Sequence, residues 1–305
     1  MKTIIILSIL SLFCSSIHAE NSLSSPLQAK TSASHSVSFD CHEDLLHAFH
    51  AAAAKASKPI LVSFLKSGIC VNEAGRSNKT ALHYASAEST WSTIRWLLKQ
   101  GAEIEAVDGQ GNTPLLSAAQ KGKHSNVGDL VEEGANIDHR DKLGRSALDL
   151  AISANDLRTV KILIKAESSL DAPIEAKKFT PLHRAAKKGS TDIAKALLDA
   201  GSDVDAIASD GMSPLHYAAY SENPEMITLL LDANADATLK DTDGRTPRNV
   251  AELYMRDHDD CILCTLNALK IRHWEEAILR LRVAELPADP KNDLENHLKL
   301  KKDEL

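Results

Sequence analysis

Aromatic residues are scarce. Five Phe, four Tyr and three Trp make up 4% of the 305 residues, which fits an interior built of Leu and Ala rather than of stacked rings. Basic charge is not in excess either: the formal net charge is −7, which argues against general nucleic-acid binding. No apolar run after residue 19 approaches the length needed to span a bilayer. No nucleophile–base constellation, phosphate-binding loop or pair of catalytic carboxylates stands out, and no cofactor is expected. Five cysteines are present. Cys14 lies in the first 19 residues and follows Phe13 rather than a small residue, which argues against a lipid-modified cysteine. The remaining four, Cys41, Cys70, Cys261 and Cys264, are too few for the fold to depend on bridges. The 43% hydrophobic and 25% charged content is that of an ordinary soluble chain.

What the chain does have is a beat. Thr80-Ala81-Leu82-His83 returns as Thr113-Pro114-Leu115, Ser146-Ala147-Leu148, Thr180-Pro181-Leu182-His183, Ser213-Pro214-Leu215-His216 and Thr246-Pro247, at spacings of 33, 33, 34, 33 and 33 residues. A second apolar ladder keeps the same period: Leu97-Leu98, Leu130-Val131, Leu163-Ile164, Leu197-Leu198 and Leu230-Leu231. So does a turn ladder, Gly101, Gly134, Gly201 and Asn234. Thr or Ser suits a helix N-cap, Pro the first turn and Gly or Asn the left-handed residue that closes a helix. The small Ala-Ala pairs predict a narrow first helix that packs closely. The recurring His83, His183 and His216 are expected to bond loop backbone between repeats.

A period of 33 residues carrying T-P-L-H-x-A-A resembles the ankyrin repeat. The resemblance covers roughly residues 43–274 and implies an all-α solenoid of helix–turn–helix repeats with capping helices. A degenerate capping repeat is expected over 43–75, marked by Phe49-His50-Ala51-Ala52 and Phe64-Leu65. Repeats follow at about 76–108, 109–141, 142–175, 176–208, 209–241 and 242–274. The third is one residue longer, holds Pro173 in its loop, and has Glu167 where its neighbours have Gly or Asn. The sixth departs most, with Arg248-Asn249 in place of Leu-His. Ala268–Leu286 keeps helical apolar spacing and is expected to cap the stack, within a segment 275–305 of capping helix and charged tail.

Residues 1–19 combine a basic start, a short apolar core from Ile4 to Phe13 and Ala19 at the end, the pattern of a secretory signal peptide. Residues 20–42 are Ser-rich and are expected to form a flexible leader. The chain ends Lys302-Asp303-Glu304-Leu305, the form of an endoplasmic-reticulum retrieval signal; in a bacterium the tetrapeptide would be chance or mimicry. The expected compartment is therefore the secretory pathway, or the periplasm or exterior of a bacterium. Asn78-Lys79-Thr80 is a glycosylation sequon, expected to be used inefficiently because Thr80 caps a helix.

Two cysteine sets remain open. Cys41 precedes the first helix and Cys70 follows the second; in an antiparallel pair those ends adjoin, so a disulfide would close a loop of about 30 residues and stabilise by ~3 kcal/mol in the chain-entropy view. His258, Cys261 and Cys264 form an H-x-x-C-x-x-C run that reads as core packing, as a disulfide or as a metal site.

The leading function is protein binding without catalysis on the long concave face that such stacks present. The alternatives are an exported bacterial effector or accessory protein, or a metal protein using the sixth repeat. The resemblance places partner contacts on the inter-repeat turns and the outer end of each first helix. In this register they fall on Lys121, Arg140, Lys142, Arg145, Lys177, Lys178, Phe179, Lys187, Lys188, Met212, Tyr220 and Arg245. Most are basic, so the expected partner is an acidic protein or peptide, with Phe179, Met212 and Tyr220 as its apolar anchors.

Overall fold

A computed structural model describes residues 41–172, 178–221, 223–258 and 268–286, with the backbone alone for residues 41, 254–258 and 268–275. The signal sequence at 1–19, the leader up to residue 40, Lys177, Cys261, Cys264 and Lys302–Leu305 lie outside the described residues, as do the side chains of Cys41 and His258.

The described residues form fourteen helices and no strand. In chain order they are α1 (Cys41–Ala54), α2 (Lys58–Lys66), α3 (Ala81–Glu88), α4 (Trp91–Lys99), α5 (Pro114–Gln120), α6 (His124–Glu132), α7 (Ala147–Ala154), α8 (Leu157–Lys165), α9 (Pro181–Lys188), α10 (Thr191–Asp199), α11 (Pro214–Tyr220), α12 (Pro224–Asp232), α13 (Pro247–His258) and α14 (Ala268–Ala284). Odd-numbered helices stack into an inner row and even-numbered ones into an outer row.

The two rows pack differently because their sequences differ. Inner helices bury Ala81, Ala85, Ala118, Ala119, Ala147, Ala151, Ala185, Ala186, Ala218 and Ala219, whose small side chains let backbones approach closely. Outer helices bury the larger Leu97, Leu130, Leu163, Leu197 and Leu230. Through the body of the stack the inner row is the closer packed, which bends the stack towards the inner helices and makes that face concave. The inner row is loosest between α7 and α9, where the third repeat carries its extra residue.

Caps follow the sequence pattern. Thr113, Ser146 and Thr180 sit in extended backbone and accept the N–H three residues on, while Asp156 and Asn223 cap α8 and α12. The outer helices α4, α6, α8, α10 and α12 close on a left-handed residue. Gly101, Gly134 and Gly201 take φ values near +90°, and Glu167 and Asn234 are held at +61° and +64°. At Glu167 that conformation strains an L side chain, whereas Gly and Asn accept it.

The ends are tied by polar side-chain contacts. His42 and Glu43 on α1 meet Glu73 and Arg76 in the turn after α2. At the other end α14 takes an outer-row place against α12 and α13, with Arg280 3.5 Å from Asp232 and Arg248 2.8 Å from Glu285.

Candidate functional site

The inner face is held by one device used repeatedly. Thr80 and Thr180 each donate a backbone N–H to the Nδ1 of the His three residues on, at 3.2 Å, and the two atoms of Ser213 and His216 are 3.1 Å apart. With Nδ1 accepting, Nε2 carries the proton and donates to the carbonyl of the next repeat: His83 to Asn112 at 2.9 Å, His183 to Met212 at 3.1 Å, His216 to Arg245 at 3.0 Å. Burial holds all three imidazoles below their ordinary pKa, because charge is disfavoured away from water. His50 is held down for the same reason. These histidines bond one repeat to the next, and the Thr80, Thr180 and Ser213 hydroxyls lie 2.7–2.9 Å from their Nδ1 atoms within the same caps.

A second device shapes the turns. Asp108, Asp141 and Asp241 each accept two backbone N–H groups within their own turn. Adjacent turns are then joined backbone to backbone, Gly109 to Ser77, Lys142 to Gln110 and Thr242 to Asp210. A third ladder runs through the turns after the outer helices. There Glu105 accepts the N–H of Asn136, Asp138 that of Ser169, Asp171 that of Asp203, and Asp205 that of Asp236. Four acidic side chains are thus committed to linking repeats.

The third repeat departs from the histidine device. Asp149 occupies the His place, 1% exposed, and accepts the backbone N–H of Ser146 at 3.0 Å. Arg140 lies 3.8 Å from its Oδ2, and Arg184 of the next repeat 3.5 Å from its Oδ1. Arg184 also faces the ring of Phe179 at 6.0 Å. Tyr217 meets Phe179 and His183 edge to face, with centroids 4.9 and 5.7 Å apart, and Phe179 and His183 are tilted to each other at 5.3 Å. The Tyr217 hydroxyl donates to Asp210, and burial together with that carboxylate pushes the phenol above its usual range.

The expected contact residues divide into two groups. Several already have partners within the chain. Arg145 and Arg245 lie on the buried Asp141 and Asp241, at 2.6 and 2.8 Å. Arg140 donates to the carbonyls of Gly144 and Ala172, Lys142 to that of Gly109 at 2.8 Å, and Lys188 to those of Ile152 and Ser153 at the end of α7. Lys121 stands 3.5 Å from Glu88. Phe179 and Met212 are half-buried against the core. The outward-facing set is Lys178, Lys187 and Tyr220, all exposed, with Lys187 5.8 Å over the Tyr217 ring.

Sequence reasoning missed Asp149, Arg184, Tyr217 and Leu253. Their signal was positional: three, four and seven residues after the capping Thr or Ser, the places that line the inner face in every repeat. Cys70 is an exposed free thiol, and the neighbouring His42–Glu73 pair brings the start of α1 beside that turn. The sequon residue Asn78 donates its side-chain amide to the Val107 carbonyl at 2.7 Å, and Thr80 is buried at the head of α3. Among the described residues no group of three His, Cys, Asp or Glu is placed to hold a metal ion, and no helix is long and apolar enough to cross a membrane.

The family model for ankyrin repeats in three copies matches residues 86–174 and 170–241, the two matches overlapping in the long third repeat. Among solved structures, the chain is similar to the ankyrin repeat domain of Bcl-3, described as a unique member of the IkappaB protein family. Identity is 25% and the TM-score 0.61, covering 68% of this chain and 97% of that one. It is also similar to the human ASB11 ankyrin repeat domain, at 28% identity and a TM-score of 0.60, covering 67% and 90%. No curated protein sequence matches it significantly.

Proposed function

Because the chain belongs to the ankyrin-repeat family, whose domains generally mediate protein–protein interaction, we propose that it is a non-catalytic scaffold binding an acidic protein or peptide on its concave face. One observation carries the acidic preference. Lys178 before α9 and Lys187 on it are exposed, and Arg184 stands on the same helix, while Asp141 and Asp241 are drawn onto backbone N–H groups and onto Arg145 and Arg245; Asp210 and Asp243 are the exposed exceptions. Such segregation steers an acidic partner and sets its orientation. The partner is met outside the cytoplasm: the signal-peptide pattern of residues 1–19 directs export, and Lys302–Leu305 retrieves the protein to the endoplasmic reticulum lumen where a eukaryotic secretory pathway is available.

Replacing Lys178 and Lys187 by Glu tests the binding face. Affinity for the native partner is expected to fall at least roughly tenfold and to lose its salt dependence, with the circular dichroism spectrum unchanged. A partner bound undiminished by that variant places the interface elsewhere. N-terminal sequencing of the mature protein tests export; Met1 retained on cytosolic protein rejects it.

A further inference from the structure

The inner face is not uniform along the stack. The residues four and seven after the capping Thr or Ser are Tyr84 and Ala87 in the first repeat, Ser117 and Gln120 in the second, and Leu150 and Ser153 in the third. In the fourth they become Arg184 and Lys187, in the fifth Tyr217 and Tyr220, and in the sixth Val250 and Leu253. Small and polar side chains thus line the outer of these two places in the first three repeats. The last three present cationic, then aromatic, then aliphatic groups, in that order.

Between the fifth and sixth repeats this face opens into a pocket of about 120 Å³ lined by Met212, Tyr220, Arg245, Val250 and Leu253. An apolar cavity of roughly 150 Å³ accommodates a benzene-sized group, so this smaller one matches a single aliphatic side chain such as Leu. Its rim is unusually apolar for a surface: Tyr220 is 46% and Leu253 48% exposed. Arg245 lies on Asp241 and Asp243 at 2.8 and 2.5 Å. Its charge is thereby offset, and its aliphatic stem serves as wall.

We propose that this half of the inner face reads its partner directionally, seating one apolar side chain in the pocket under Tyr220 and Leu253 and an acidic residue over Lys187. The inference rests on the acidic-partner reading above and adds to it an anchor and a spacing. Neighbouring packed helices lie about 8–10 Å apart. The distance from α9 to the boundary of α11 and α13 is one and a half such steps, roughly 12–15 Å. An extended chain advances about 3.3 Å per residue, so the acidic and apolar residues of the partner stand about four residues apart. The cationic end supplies orientation, and the buried side chain supplies the hot spot.

A library of random 12-residue peptides displayed on phage, selected against the full chain, is the probe; enriched peptides are then labelled and their Kd measured by fluorescence anisotropy. The expected peptides carry Asp or Glu about four residues from Leu, Ile or Met. Leu253→Asp and, independently, Tyr220→Ser are expected to weaken them at least roughly tenfold, each with an unchanged circular dichroism spectrum. The Leu253 effect should vanish when the peptide's apolar residue is replaced by Ala. Acidic peptides that respond to Lys187→Glu but not to Leu253→Asp or Tyr220→Ser overturn the pocket and leave the acidic-partner reading standing. Apolar peptides indifferent to Lys187→Glu overturn both, as does the absence of any enriched peptide. A full chain that dimerises in sedimentation, and does so only with Leu253 intact, makes a second copy the occupant and overturns the proposal.

Discussion

The junction between the third and fourth repeats and the one between the fourth and fifth use the same two positions for different chemistry. In the latter, neutral His183 packs edge-on against Tyr217 with ring centroids 5.7 Å apart. In the former, Asp149 takes the His place and Arg184 the Tyr place. The His50–Tyr84 stack at 5.0 Å, near the start of the stack, repeats the first solution. The carboxylate at Asp149 therefore demands a cation opposite, 35 positions later in sequence, whereas the His place accepts a ring at Tyr84 and Tyr217 and no ring at Ser117 and Val250. A buried carboxylate needs a cation and hydrogen bonds to offset its lost hydration, whereas a neutral imidazole needs only its acceptor.

The largest effect should come from mixing the two solutions. Asp149→His leaves Arg184 facing an imidazole, and Arg184→Tyr leaves Asp149 with Arg140 alone. Each is expected to destabilise by about 3 kcal/mol in urea unfolding, the scale of a broken buried ion pair. The double variant recreates the His–Tyr junction and should lose no more than either single one. Arg140 still has the Gly144 and Ala172 carbonyls to occupy its guanidinium. Strictly additive losses would show that the two positions are not coupled.

Acid separates the junctions next. His50, His83, His183 and His216 have pKa values lowered by burial. The unfolded chain, with His near 6.5, therefore takes up protons that the folded chain excludes. Stability is fully present above about pH 6.5 and declines as pH falls towards the folded-state values. His183→Asn mimics the sixth repeat, where Asn249 accepts the Thr246 N–H at 3.1 Å. It should cost about 1–2 kcal/mol at pH 7.5 and narrow its deficit at pH 5, with a slope shallower by up to one proton. A parallel pH profile for the variant and the parent would place the titrating groups elsewhere.

The third repeat also differs at its closing turn. Glu167 takes the left-handed conformation that Gly101, Gly134 and Gly201 adopt without strain. Glu167→Gly is expected to raise the urea midpoint, by about 1 kcal/mol or less once the added freedom of the unfolded chain is counted. The same substitution at Asn234, already tolerant of that conformation, should change little. A lower midpoint for Glu167→Gly would mean that the Glu side chain supplies a contact worth more than the strain.

The repeats, their caps and the structural use of the histidines were legible because each depends on residues within a few positions of one another. The charged junction was not, because Asp149 and Arg184 carry no local pattern and Arg140 was expected to face a partner, until stacking brings the three together. Arg145 and Arg245 misled for the opposite reason. Their partners Asp141 and Asp241 stand only four residues earlier, but the pairing runs across a turn, where helical spacing rules do not apply. The outward-facing cations therefore reduce, among the described residues of the expected set, chiefly to Lys178 and Lys187, and the apolar end at Leu253 drew no reading from the sequence.

The smallest effect tests whether binding and stability are separable on this face. Arg184 and Lys187 lie three residues apart on α9, both directed to the inner side. Arg184 is 23% exposed and its guanidinium partners a buried carboxylate, so its loss should be felt throughout the stack. Lys187 is exposed and makes a cation–π contact with Tyr217 at 5.8 Å, which at such a site is worth roughly 0.5 kcal/mol. Lys187→Gln should therefore shift the urea midpoint by no more than about 0.5 kcal/mol, while Arg184→Gln shifts it by about 2–3 kcal/mol. If Lys187→Gln destabilises as much as Arg184→Gln, the lysine is part of the buried junction and its charge is not available to a partner.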